Sequence, residues 1–168
     1  MRIKIGVSSC LLGEEVRYDG TSQYQPLIVE GLSNRFELIS LCPEVGIGLT
    51  VPRPPIQRVM IGRQVHLLRV DDDSFDLTDR MRQFALQSVE MIAGFSGFIF
   101  KSRSPSCGLD AVKLFSQERG MMAKGEGMFV EVIRQQLPKL PMVEELDLTS
   151  RLQIEAFAEQ VEHYSLPL

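Results

Sequence analysis

A chain of 168 residues with a net charge of −4 and no dense Lys/Arg run lacks the positive surface that holds duplex nucleic acid, so a small-molecule partner is expected. Apolar residues make up 44% and charged residues 24%, an ordinary soluble composition, and no stretch is long and apolar enough to span a membrane. Three cysteines are too few, and odd in number, for a disulfide framework, which leaves free thiols, a metal or a cluster.

The chain starts directly on a strand-like run, Ile3 to Val7, without the apolar segment and small-residue cleavage site of a secretory signal, so a cytoplasmic protein is expected. That run leads into Ser8-Ser9-Cys10-Leu11-Leu12-Gly13 and a long loop marked by Tyr18-Asp19-Gly20. Pro26 suits a first helical turn, and a short helix to Leu32 returns the chain to a second strand at 36–41 that ends at Cys42-Pro43-Glu44. Pro52-Arg53-Pro54-Pro55 is a stiff segment that fits neither a helix nor a central strand. Residues 56–70 read as a hairpin turning at Gly62-Arg63. A helix follows with Leu77, Met81, Phe84, Ala85, Ser88 and Ile92 on one face, and crosses to a strand at 97–100.

The strand at 97–100 runs into Lys101-Ser102-Arg103-Ser104-Pro105-Ser106-Cys107-Gly108. Residues 111–115 suit a strand or an irregular segment equally. Gly125-Glu126-Gly127 precedes a helix ended by Pro138, and reads as a turn or as a phosphate cradle. Ser150 with Gln153 fits a capping box for a last helix whose apolar stripe is Leu152, Ala156, Phe157 and Val161. His66 and His163 lie away from every motif. The expected architecture is a single α/β domain over 1–168, Rossmann-like and three-layered, with a mostly parallel sheet, a small hairpin insertion and a C-terminal helix over 146–168.

Each cysteine closes a strand-like run in a turn-rich loop. In open parallel sheets such loops converge on one crevice, where three thiols could meet. No CxxC knuckle exists, so a site of this kind is assembled only by folding. The plainer reading of each cysteine is a free, buried, small apolar side chain.

The ordered set Ser8 to Gly13 with Val16 to Gly20, Cys42-Pro43-Glu44-Val45 with Pro52 to Pro55, and Lys101 to Gly108 resembles the bacterial family that includes thiouracil desulfidase, over about residues 1–145. The resemblance implies a 4Fe-4S cluster held by Cys10, Cys42 and Cys107, with the fourth iron free of protein ligands. It also implies desulfuration of a thiolated pyrimidine base or nucleoside, the sulfur passing to that iron and water replacing it at carbon without net electron transfer. Its functional acid falls on Glu44 and its functional serine on Ser104, with Ser106 competing.

Glu44 then suits a general base, and Ser9, Arg53, Lys101 and Ser106 suit substrate binding. Plainer readings are a solvated or capping acid for Glu44, turn hydroxyls for Ser104 and Ser106, surface charges for Lys101 and Arg103, and an Arg17–Asp19 pair across a turn. The alternatives to the enzyme are an iron–sulfur sulfide carrier or sensor, and a zinc-bound binding module. Neither the physiological substrate nor the oligomeric state is legible.

Overall fold

The computed structural model describes residues 1–166 and contains two four-stranded sheets. The first is formed by β1 (Lys4–Ser8), β2 (Glu37–Leu41), β5 (Gly97–Phe100) and β8 (Met142–Glu144) in the order β2-β1-β5-β8, every pair parallel. Its central strands β1 and β5 are buried along nearly their whole length because both faces are covered there.

One face packs against α1 (Pro26–Leu32) and α5 (Arg151–Ser165), burying Ile5, Val7 and Ile99 with Ile28, Leu32, Ile154, Phe157 and Val161. The other packs against α3 (Thr78–Ala93) and α4 (Met128–Gln136), burying Phe98 and Phe100 with Met81, Ala85, Ile92, Phe129 and Ile133. Alternation in β5 sends Phe98 and Phe100 to one side and Ile99 to the other. The two phenylalanine rings stack with centroids 4.0 Å apart. Gly6 of β1 makes room for them, since a Cβ there would stand 2.4 Å from the Phe98 ring. The mixed α/β, three-layered expectation holds.

The predicted hairpin forms as β3 (Ile56–Ile61) and β4 (Gln64–Arg69), with Gly62 at φ +61° in the turn. It is half of a larger element. β6 (Val112–Phe115) pairs in parallel with β3, and β7 (Met121–Gly125) pairs antiparallel with β6, giving the order β4-β3-β6-β7. The segment 111–115 is therefore a strand.

In α5 the capping box at Ser150 is present, but the predicted stripe needs correction. Leu152 and Ala156 are exposed, and Ile154, Phe157, Ala158 and Val161 are the buried positions. An i, i+3, i+4, i+7 set counted from Ile154 fits the narrow contact with α1 and the sheet, whereas a set counted from Leu152 points into solvent. Among the described residues no helix is long and apolar enough to cross a membrane.

Candidate active site

The loops leaving β2, β1 and β5 emerge side by side at the carboxyl edge of the parallel sheet. Chain order reverses here, with β1 running out to β2 on one side and β5 inserted on the other, and a crevice opens at such a switch point. The β1 loop opens with a 3-10 turn, Ser9–Leu12, that carries Cys10. The β2 loop continues into the single-turn helix α2 (Pro43–Gly46), with Cys42 just before it and Pro43 at its first position. The β5 loop carries Cys107 and is held from beneath by α4.

Around Cys107 the backbone of this third loop is tied down by hydrogen bonds. Cys107 N–H and Ser106 N–H donate to Ser104 Oγ at 3.1 and 3.3 Å, and Gly108 N–H donates to the Ser104 carbonyl at 2.9 Å. The first amides of α4 donate to the same loop, Met128 to the Pro105 carbonyl at 2.9 Å and Phe129 to the Ser106 carbonyl at 3.1 Å. The helix N-terminus that Gly125-Glu126-Gly127 precedes thus binds the cysteine loop's carbonyls rather than a phosphate. Gly127 is there because the backbones touch: a Cβ would lie 2.4 Å from the Ser106 carbonyl. A Gly127→Ala variant is expected to lose about 1–3 kcal/mol of stability, the usual cost of overpacking, and to displace the Cys107 loop. Thermal melting reads this directly, and an unchanged midpoint would show that the loop can move away freely.

All three cysteines line one cavity of about 320 Å³. Cys10 and Cys107 are buried and Cys42 half-buried. Burial pushes the Cys10 thiol up to about 11, with the Lys101 and Arg17 charges opposing. Cys42 is raised chiefly by burial, and Cys107 by burial and then by the Cys42 charge. Three neighbouring thiols in a desolvated cavity resist becoming thiolates unless something positive arrives to share the charge. Soft, cationic metal centres supply that, and thiolate is the ligand they prefer. Among the described residues no three His, Cys, Asp or Glu side chains are grouped for a single metal ion.

Of the other residues singled out in the sequence, Ser9, Glu44, Arg53, Lys101 and Ser104 line this cavity and Ser106 does not. Ser106 is fully buried and donates its hydroxyl to Glu44 Oε1 at 2.9 Å. Arg53 donates Nε and Nη2 to Glu44 Oε2 at 2.9 and 2.7 Å, and Nη1 to the Val16 and Thr50 carbonyls at 2.9 and 3.2 Å. The stiff proline segment delivers a guanidinium that is spent on protein acceptors. Ser104 accepts two amide bonds at its oxygen, so its own proton is free for the cavity. Ser9 is buried and hydrogen-bonded to the Ser40 hydroxyl at 2.7 Å.

Asp19 accepts from the Thr21 amide and hydroxyl rather than from Arg17, and Arg17 and Tyr18 join the cavity wall. His66 pairs with Asp76 at 2.7 Å, and His163 is exposed on α5. The sequence reading missed Glu145, which grips the third loop, and Ser8, whose hydroxyl accepts from Lys101 N–H at 2.9 Å. Ser8 sits inside a motif already noted. For Glu145 no local signal existed.

The family model for 2-thiouracil desulfurase matches residues 5–145. The solved structure of the 4Fe-4S-dependent thiouracil desulfidase TudS superposes with a TM-score of 0.69 at 29% identity, covering 96% of this chain and 99% of that one. No curated protein matches.

Proposed function

Because this chain belongs to the 2-thiouracil desulfurase family and is an enzyme of that kind, we propose that it hydrolyses the carbon–sulfur double bond of a thiolated pyrimidine in the cavity walled by Cys10, Cys42 and Cys107. The observation that carries this reading is the convergence of three thiols from three strand ends beside one rigidly held carboxylate. Cys10, Cys42 and Cys107 would hold a 4Fe-4S cluster. When bound, such a cluster keeps one iron without a protein ligand and supplies there a soft Lewis acid for the thiocarbonyl sulfur and a seat for the departing sulfide.

The protein's own part is to bind the base, orient water and handle protons. Glu44 offers about four lone-pair sites as a carboxylate, and three are taken, one by Ser106 and two by Arg53. The remaining site on Oε1 accepts a hydrogen from the attacking water and takes its proton as the oxygen bonds to the ring carbon. Arg53 and Ser106 therefore act through Glu44, fixing the orientation of its plane. Ser104, with its proton uncommitted, donates to a ring nitrogen or exocyclic atom of the base. Water's oxygen ends in the new carbonyl, its two protons leave with sulfur as hydrogen sulfide, and no electrons are exchanged with a partner.

A nucleoside or its phosphate would extend past Arg103 and Pro105 into an adjoining groove of about 470 Å³ whose charged lining residues, Arg58, Arg103, Lys113 and Lys124, are all cationic.

Anaerobically reconstituted protein is expected to release uracil and sulfide in equal amounts from 2- or 4-thiouracil, measured by chromatography and sulfide assay. A loaded protein that binds sulfide but forms no uracil would instead be a sulfide carrier.

A further inference from the structure

The chain beyond the last motif reaches back into the site. β8 lies beside β5 with Glu144 opposite Phe100, so the 3-10 turn Glu145–Asp147 begins next to the loop that carries the third cysteine. Glu145, its side chain 5% exposed, uses both carboxylate oxygens on the first two residues of that loop. Oε1 accepts from the Lys101 ammonium at 2.7 Å and from the Ser102 hydroxyl at 2.6 Å, and Oε2 accepts from Ser102 N–H at 2.7 Å. Glu144 holds the far end, where its Oε2 accepts from Leu109 N–H at 3.0 Å. Lys101 in turn lines the cavity that the three cysteines line. Burial would raise the Glu145 carboxyl, but the bonds from Lys101 and Ser102 outweigh it and hold the group below its ordinary value.

We propose that Glu145 is a positioning residue for this site: by clasping Lys101 and Ser102 it fixes the Lys101 ammonium in the wall of the cavity that the three cysteines share. The role given to the ammonium rests on the desulfidase reading, whereas the clasp itself does not. A long, flexible lysine ordered at a half-buried position loses side-chain entropy, and its charge needs a counter-ion where water is scarce. Glu145 supplies the counter-ion and selects one rotamer. A cation already in place when negative charge gathers on the departing sulfur needs no reorganisation, which makes it worth more than a mobile one.

Glu145→Gln in the anaerobically reconstituted full chain is expected to lower kcat about 10–100-fold, the usual effect of removing a second-layer partner, while iron content and KM stay near wild type. Lys101→Met costs as much in the wild-type background and little more in the Glu145→Gln background, and Glu145→Asp recovers part of the rate. Additive losses, or wild-type turnover in Glu145→Gln, overturn the proposal.

A second readout needs neither cluster nor turnover. Acetylation of the Lys101 amine in cluster-free protein, followed by mass spectrometry, is slow in the wild type and several-fold faster in Glu145→Gln. Equal rates overturn the clasp even if the wild type desulfurates thiouracil. A wild type that never turns over thiouracil defeats the desulfidase reading and leaves the labelling result to decide on Glu145. Should Glu145→Gln fail to fold, Lys101→Met leaves the bonds from Ser102 to Glu145 intact, and its turnover at the wild-type rate refutes the role of the ammonium.

Discussion

Cys107→Ser is expected to yield a folded protein that cannot be loaded with four irons and does not convert thiouracil above background. Enzymes commonly supply about 10⁶-fold or more over the uncatalysed reaction, and the whole of that acceleration is at stake. Cys107 is the most constrained of the three thiols. It is 5% exposed, its amide is tied to Ser104 Oγ, and the loop rests on the first amides of α4. Serine is nearly isosteric, so the loop keeps its shape and the buried backbone bonds survive. What changes is the ligand atom, since a hard hydroxyl replaces the soft thiolate that iron–sulfur clusters require. Iron and sulfide analysis, the visible absorbance after anaerobic reconstitution and uracil release all report the loss. A variant that holds four irons and turns over normally would remove Cys107 from the ligand set and the cavity from the reaction.

Glu44→Gln isolates proton handling from cluster binding. The amide keeps the length of the side chain, and its oxygen still accepts from Arg53 while its nitrogen can donate to Ser106. The local network is therefore mostly rebuilt. The ability to take a proton from water is lost, and general-base catalysis of this kind is worth about 10²–10⁴-fold. Turnover is expected to fall by that factor with the cluster absorbance intact. Stability should drop by only about 1–3 kcal/mol, the cost of leaving the buried Arg53 charge with a weaker acceptor. Removing Arg53 instead would break a pair whose side chains are 5% and 12% exposed and cost about 3–5 kcal/mol, so that variant tests folding before chemistry. Glu44→Gln at the wild-type rate would assign the proton to another group.

Much of the fold was legible because its signals are local. The strand runs ending in Cys10, Cys42 and Cys107 carry short apolar stretches followed by turn residues, and the helix over 78–93 carries a 3.6-residue stripe. The second sheet was less legible because its defining pair, β3 with β6, joins Arg58 to Leu114 across more than fifty positions. β7 is exposed along most of its length and shows no alternation to read. In α5 two overlapping apolar stripes competed, and only the position of α1 and the sheet selects the one from Ile154.

Sequence by itself determined the chemistry available to this protein: three thiols and a carboxylate, each in a turn-rich loop at the end of an apolar run, in an order that marks the family. Tertiary structure decided who stands beside whom. It turned Arg53 and Ser106 toward Glu44, left the Ser104 proton free, and brought Glu145 to Lys101 from the end of the neighbouring strand β8. The physical reason is that a motif records which side chains a loop carries. The partner of a buried charge is chosen by desolvation, which acts between groups that only the packed sheet and helices bring within a hydrogen bond of one another.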